Sequence, residues 1–467
     1  MRFRLPAIKI SLDKIPLGRI PLAATIALSG LLAAGAVPAG AAPATGELTT
    51  APGASPISPT DVTDAVGAPS PASSGQEAPA GSVLPTGPVQ PGAAPGSLVA
   101  TAPDGQKLPC SAPANPYSGA SVRSVFTRPG VTVRKYTKSG RTPLYVTVAD
   151  IAGKGSVRPG PLTKSSVTNL TTLRTKIAGT HAFAATNGDF FHLGQDGSPY
   201  GAEVTRGGTV QKGIDKPQTS LIIQRNDTAT IGTITLSIAV KTSKGTLHGQ
   251  SWNSQYLPHD GMAVFTSNWG DGARKYLRPS QDVREFIVSG HKVVRVNKAV
   301  TNTAIPRGGY IIEAQGRAVN RLRAIGLKAG SAVAASKFLH TSAPHGVDTA
   351  IGVGMALVHE GRYQGPVCSK DNAVARTVVG IMPGGKRMFI AVAQGQTDSA
   401  HSNFTGLTAR ECTALAYHMK ATEAVMLDGG GSAGVVVSGA YGKVSQFTKS
   451  ADGWDRYIPN GYGFWRR

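Results

Sequence analysis

From residue 122 onward, apolar positions fall in short runs, roughly five to eight residues long, that are rich in Val, Ile, Thr and Phe and bounded by Gly, Asn, Asp and Pro. Residues 144–148, 220–224, 231–240 and 286–288 are the clearest of these runs, and each predicts a strand. Helical spacing predicts two helices, over residues 166–177 and 409–420. The second opens on Thr408 with Glu411 three positions later, the spacing of a capping box. No internal repeat at a fixed period is present. The expected class is α+β, a strand-rich mixed-sheet domain with a few helices.

The pattern before residue 108 is different. Arg2, Arg4, Lys9, Lys14 and Arg19 form a basic start, followed by an apolar run over 21–37 and the small triplet Ala39-Gly40-Ala41. This is the order of an export signal cleaved after Ala41. Ser29 and Gly30 interrupt the run, which is shorter than the ~20 apolar residues of a spanning helix, and no later segment is long and apolar enough to span. Residues 42–107 are mostly Ala, Pro, Gly, Ser and Thr, a composition that buries too little apolar surface to offset chain entropy. The expected organisation is therefore a signal peptide (1–41), a disordered linker (42–107) and one folded domain (108–467), secreted or associated with the cell wall.

Charge and cysteine content narrow the setting. The 467 residues carry a formal net charge of +22, and 42 basic against 20 acidic residues lie after position 107, so the excess belongs to the folded domain. Such a surface favours anionic partners, among them an anionic cell-wall polymer. Nucleic acid is disfavoured, because the basic residues are scattered, aromatics are sparse and no recognition module appears. The chain has three cysteines. Cys412 shares a helical stripe with Leu415, Ala416 and Met419, which predicts a buried inert thiol. That leaves Cys110 and Cys368 as the more plausible disulfide pair. No Cys/His cluster has zinc spacing; His340 with His345 is a weak signal.

Two segments place polar groups where strands end. In the first, an apolar strand over 182–186 runs into Asn187-Gly188-Asp189-Phe190-Phe191 and then Gly201-Ala202-Glu203. Asn187 and Asp189 project to one side if extended geometry persists; an Asn-Gly hairpin with a solvated Asp is the plainer reading. In the second, an apolar strand delivers Asp428 to Gly429-Gly430-Gly431-Ser432, where successive backbone N–H groups can line an anion-binding nest. Gly430-x-Ser432-x-Gly434 also fits a serine nucleophile elbow, but that motif needs a following helix and here valines follow. Gly384-Gly385-Lys386 lacks P-loop spacing and reads as a hairpin turn.

These segments belong to an ordered set: Asn187-Gly188-Asp189-Phe190-Phe191; Gly352-x-Gly354; Ala375-Arg376-Thr377-x-x-Gly380; Gly395-Gln396-Thr397; Gly406-Leu407-Thr408 before a helix; Leu427-Asp428-Gly429-Gly430-Gly431-Ser432; and Asp455-Arg456-x-x-Pro459-Asn460. The set resembles the phosphodiester glycosidase family over nearly all of residues 118–465. The resemblance implies an α+β domain whose glycine-rich strand ends line one cleft, and hydrolysis of the bond between an anomeric sugar carbon and a phosphodiester. Two departures from the family pattern bear on chemistry: Asp189 replaces an expected glycine and adds a carboxylate, while Gln394-Gly395 replaces an Asp-Gly pair and removes one.

That reaction sets its own requirements. An ordinary glycosidase protonates a poor alkoxide leaving group. A sugar 1-phosphodiester instead releases a phosphate monoester, whose second pKa is about 6, so leaving-group protonation matters less. The site needs cationic and backbone donors for phosphate, plus a carboxylate that activates water or meets the oxocarbenium-like centre. Asp428 is the leading carboxylate, with Asp189 and Glu203 as candidates for the second role. Arg376 is the leading phosphate ligand by its planar donor fork, its alternative being a structural Arg paired with Asp. Asn187, Gly188, Thr377, Gly429, Gly430, Gly431 and Ser432 complete the expected binding set. His192 and His401 lie in nearby loops and are weaker candidates. No cofactor is required; two carboxylates beside a phosphate can also hold a divalent cation such as calcium, although no sequential ligand pattern argues for it. A sugar phosphodiester or anionic glycan is the expected substrate. The rivals are a non-catalytic basic protein that binds a wall polymer, and a serine hydrolase using Ser432.

Overall fold

The structure, a computed structural model, describes residues 113–274, 282–364, 368, 370–395, 405–439 and 442–467. The signal peptide, the linker, Cys110, Gln396, Thr397 and His401 lie outside the described residues. Strands dominate, with three α-helices among the described residues, which is the expected α+β class. The strands form sheets of eight, twelve and five. Pairing is antiparallel except where Ser251–Trp252 runs parallel to Met262–Thr266.

The eight-stranded sheet is the central layer. Its strand Arg376–Ile381 lies between Arg387–Ala393 and Glu423–Leu427. Alternation sends Val379, Ile381, Val425 and Leu427 into one core, shared with the five-stranded sheet through Ala184, Val435 and Phe464. The opposite face receives Val378 and Met426, covered by Cys412 and Leu415 of the helix Ala409–His418. That helix has the expected capping box between Thr408 and Glu411. It stops at a Met419 cap, just before Lys420 turns left-handed. Gly384 and Gly385 make the expected turn between two strands of this sheet.

The helix expected over 166–177 is a correction. Only Leu173–Ile177 is helical, capped by the Thr172 hydroxyl. Upstream, Ser, Thr and Asn side chains compete with helical backbone bonding: Thr168 Oγ1 donates to Trp269 O at 2.6 Å, and Asn169 Nδ2 donates to Ser165 Oγ at 2.6 Å. Thr171 instead bridges to Ile458 in a strand-like contact. Cys412 is a free, fully buried thiol pushed up to about 12 by burial, and Cys368 is disulfide-bonded. No helix among the described residues is long and apolar enough to cross a membrane.

The twelve-stranded sheet has its own core, closed by Ala318, Val319 and Leu322 of the helix Arg317–Ala324. Beside this core a charged cluster is sealed from water. Arg274 donates to Glu313 Oε1 at 2.7 Å and to Glu285 Oε1 at 2.9 Å, and all three residues are buried. One guanidinium cannot neutralise two carboxylates, and burial pushes Glu313 up to about 8. Its proton stabilises the fold below the unfolded pKa of 4.5, and that contribution is lost as pH rises through about 8. Glu313→Gln is therefore expected to flatten the fall in melting temperature between pH 6 and pH 9. Arg274→Met, which strands buried charge, is expected to cost about 3–5 kcal/mol in denaturant unfolding.

Candidate functional site

The site forms where strands of all three sheets end together. Asn187, at the end of Ala182–Asn187, is fully buried and bonded at both ends of its amide. Its Nδ2 donates to the Asp428 carbonyl at 2.7 Å; its Oδ1 accepts from Thr377 Oγ1 at 2.8 Å and from the Gly434 N–H at 3.1 Å. One amide thus ties the five-stranded sheet to two strands of the central sheet and to the glycine turn. The Gly188 carbonyl accepts from the Asp428 N–H at 3.1 Å, which completes the tie. The Asn-Gly hairpin reading fails, because the amide is consumed in these long-range bonds.

Asp189 follows, buried to 4% exposure. Its backbone N–H donates to Asn460 Oδ1 at 3.0 Å, and its Oδ2 accepts from the Gly201 N–H at 2.6 Å. A β-carbon on Gly352 would fall 2.3 Å from that carboxylate oxygen, so the chain approaches it more closely than any side chain permits. Beneath lies Lys212, 1% exposed, whose Nζ donates to the Tyr200 and Gly201 carbonyls at 3.0 Å each. Burial raises the Asp189 pKa and lowers that of Lys212; their mutual attraction opposes both shifts.

Glu203 does not reach the opening. Its two oxygens accept from Thr163 Oγ1 at 2.7 Å and from Asn460 Nδ2 at 2.8 Å, and it is 1% exposed. It orients Asn460, which in turn holds the backbone of Asp189. Burial raises its pKa, against the pull of these donors and of Lys176 and Lys212.

Asp428 ends the strand Glu423–Leu427 and keeps part of its surface open to solvent. Protein atoms still crowd it enough that burial pushes the carboxyl up to about 6, opposed by the Ser432 hydroxyl, the Gly429 N–H at 2.8 Å and the nearby Arg456 charge. The Ser432 hydroxyl acts on Asp428 by proximity: it is buried and within hydrogen-bond geometry of no described group. Asp189 senses the Asp428 charge, which adds to the rise of its pKa, and Tyr200 senses both. Tyr200 packs edge-on against His192, whose ring burial and the Lys212 charge lower to about 4, so it is neutral at ordinary pH.

The glycine turn is only partly a nest. The Gly429 N–H binds its own neighbour's carboxylate and the Gly430 N–H binds Ala375 O at 2.8 Å, so neither is turned outward. A turn of 3-10 helix over Gly430–Ser432 leads into the strand Val435–Ser438, the geometry that a nucleophile elbow lacks. Against Gly431 lies the Asp452 carboxylate, 2.0 Å from where a β-carbon would be. Asp452 is clamped by Arg456 through Nε at 2.7 Å and Nη2 at 2.9 Å. Gly431, Ser432, Gln446, Asp455 and Arg456 line a small cavity of about 20 Å³.

Arg376 stands apart from this assembly. It and Thr377 are neighbours on one strand, so their side chains leave opposite faces of the sheet. Thr377 faces Asn187, whereas Arg376 faces the helix Ala409–His418, bonding Asp371 Oδ2 at 2.5 Å and Leu407 O at 3.2 Å. Asp371 also accepts from the Ala409 N–H at 3.0 Å. The cation near Asp428 is instead Arg456, and the one at Asp189 is Lys212. Arg376→Ala is accordingly expected to lower the melting temperature with small effect on turnover per folded molecule, and Arg456→Ala to do the reverse; thermal unfolding and kcat/KM together check both.

Five members of the site were not singled out as site residues by sequence reasoning: Lys212, Asn460, Tyr200, Asp452 and Arg456. Asn460 and Arg456 lay within a motif already noted. Lys212 carried no signal beyond a charged residue in a strand-like run. Gln394 is buried, its N–H donating to Pro143 O at 3.1 Å. Among the described residues no group of three His, Cys, Asp or Glu could hold a metal ion.

Parts of the ordered motifs therefore meet in space, Asn187 to Asp189 with Gly352, Thr377, Asp428 and Asn460, whereas Arg376 and Leu407 lie on the other face of the sheet. Residues 282–465 match the phosphodiester glycosidase family model. The phosphodiester glycosidase match contains Asp428, the glycine turn, Asp452, Arg456 and Asn460, but leaves Asn187, Asp189, Glu203 and Lys212 outside it. A solved Synechocystis protein of unassigned activity is similar in fold, with TM-score 0.59 and 19% identity over 74% of this chain; the chain spans 64% of that protein's length. A structure from Burkholderia pseudomallei K96243 has TM-score 0.53 and 18% identity, covering 72% of this chain and 74% of that one. The catalytic domain of zebrafish N-acetylglucosamine-1-phosphodiester alpha-N-acetylglucosaminidase, auto-inhibited by its pro-peptide, aligns with TM-score 0.34 and 11% identity over 74% and 88% of the two chains. No curated protein matches the chain.

Proposed function

We propose that the protein is a glycoside hydrolase that cleaves the bond between an anomeric sugar carbon and a phosphodiester oxygen, acting on an envelope or environmental glycan outside the membrane. The observation that carries this reading is the pair Asp189 and Asp428 at converging strand ends, with Arg456 near Asp428, in a chain whose residues 282–465 match the phosphodiester glycosidases. Asp428, the more open of the two, is the group that meets water or the oxocarbenium-like centre. Asp189, buried and held by the Gly201 N–H, keeps a proton more readily and sets the field around Asp428. Arg456 and the Ser432 hydroxyl are the donors placed for phosphate oxygens, a role in which Arg456 shares its fork with Asp452. The leaving phosphate monoester, with a second pKa of about 6, needs little help from an acid.

The test is incubation of the full chain with a synthetic α-N-acetylglucosamine 1-phosphodiester and with related sugar phosphodiesters, following free sugar and phosphomonoester. Stoichiometric release of both supports the reading; a folded protein that releases neither from any of them contradicts it.

A further inference from the structure

The strand Ala229–Thr242 is far longer than its neighbours, and its second half leaves the body of the sheet as a three-stranded ribbon with Gly245–Gly249 and Ala334–Thr341. Register fixes where the ribbon begins. Ser220 pairs with Gly352 on one side and Gly232 on the other, and Gly352 lies against the Asp189 carboxylate. Gly232 is therefore two strand spacings, about 10 Å, from the site, and the chain then runs on from Gly232 to Lys241 for about 30 Å.

The two faces of this ribbon differ. Leu236, Ile238 and Val240 point into the core, with Ala335 and Leu339 packed against it. The outer face carries small and polar side chains: Ser237, Ala239 and Lys241, opposite Phe338, Ser336 and Ala334. Phe338 is 66% exposed, with the His340 ring against it at 5.0 Å, and His340 is fixed by Ser237 Oγ at 2.6 Å. This large aromatic belongs to none of the hydrophobic cores formed by the described residues. At the tip, Lys241 and Lys244 are exposed, and the turn after the helix Arg317–Ala324 comes against Lys244 at Gly326, near exposed Arg323 and Lys328. No Asp or Glu occurs in residues 228–259 or 314–347, so no acid from these segments offsets the charge.

We propose that this outer face is a docking site for an anionic glycan: Phe338 stacks on a sugar ring, the Ser and His groups hydrogen-bond its hydroxyls, and the cations at the tip take phosphate charges. The ribbon begins about 10 Å from the Gly352–Asp189 contact, and its outer face is the one opposite that contact, so the surface would hold polymer near the site without threading it between the carboxylates. The choice of a sugar-phosphate polymer rests on the function proposed above; the aromatic and basic character of the face does not.

The experiment measures binding in the full chain carrying Asp428→Asn, which slows turnover, to an oligomer of α-N-acetylglucosamine 1-phosphate, to uncharged chitohexaose and to inorganic polyphosphate. The sugar-phosphate oligomer is expected to bind best, to weaken about tenfold on adding Phe338→Ala and to be retained by Phe338→Trp. Lys241→Glu with Lys244→Glu is expected to weaken it and to reduce its salt dependence. Binding indifferent to both sets of changes overturns the proposal, as does equal loss of polyphosphate binding on Phe338→Ala, or dimerisation through the open Ala334–Thr341 edge that competes with the oligomer. Hydrolysis of a small soluble diester by Phe338→Ala in the otherwise wild-type chain is the separate readout. If wild type lacks that hydrolysis but oligomer binding follows Phe338, the catalytic reading falls and the docking face stands.

Discussion

Asp428→Asn is expected to lower kcat/KM for a sugar 1-phosphodiester by about 10²–10⁴-fold while leaving the protein folded. The asparagine keeps the shape of the side chain and loses only the charge. The same replacement gives a stability result of opposite sign. Burial raises the Asp428 pKa to about 6, so its protonated form is favoured in the folded state. The stability this supplies is complete below the unfolded value of 3.8 and is lost as pH rises through about 6. At pH 7 wild type carries the ionised, crowded carboxylate and the variant does not, so the variant should melt at or above the wild-type temperature. Activity runs the other way with pH: as the ionised form is the working one, kcat/KM should rise through about pH 6, and that limb should vanish in Asp428→Asn. A variant that loses activity by unfolding, or one that keeps an unchanged acid limb, would remove Asp428 from the chemistry.

Lys212→Met is expected to destabilise the fold by about 3–5 kcal/mol, read as a lower denaturant midpoint at unchanged slope. The lysine is fully buried and its charge is shared by Asp189, Asp196 and Glu203. Methionine fills its volume but bonds neither the Tyr200 nor the Gly201 carbonyl, and it leaves Asp189 without a counter-charge. Lys212 lowers the pKa of Asp189, so in the variant that carboxyl keeps its proton to higher pH. The stability deficit should therefore be larger at pH 8 than at pH 5, where the carboxyls are closer to neutral. Lys212→Arg restores charge and should recover part of the loss. A deficit independent of pH would mean that lost packing, and not lost charge, is what the position supplies.

Local rules read this chain well wherever a feature was local. The capping box at Thr408 and Glu411, the strand delivering Asp428 and the turn at Gly384 and Gly385 each depend on a few adjacent residues. The helix expected over 166–177 shortens to 173–177 because apolar spacing does not register Thr168, whose hydroxyl bonds backbone of another segment, or the Asn169–Ser165 side-chain bond. Arg376 shows a different failure. Its planar donor fork makes it the expected phosphate ligand, yet Arg376 and Thr377 are adjacent on a strand and leave opposite faces, and the alternative of a structural Arg paired with Asp371 is the one realised. Asn187, Asp189 and Asp428 could be named because glycines mark where the backbone must approach closely. The support beneath them could not. Glu203 orients Asn460, which lies 257 positions away in the chain, and Lys212 holds the loop that carries Gly201. Contacts of that range leave no periodic trace in a single chain.

Isotope labelling tests the central claim, that the bond broken is the one at the anomeric carbon. Hydrolysis of the sugar 1-phosphodiester is run in ¹⁸O-enriched water and the phosphomonoester product is weighed by mass spectrometry. Attack at the sugar carbon sends the label to the sugar and leaves the phosphomonoester unlabelled, which is the predicted result. Label in the phosphomonoester would place the attack at phosphorus and make the protein a phosphodiesterase, contrary to the role assigned here to Asp428.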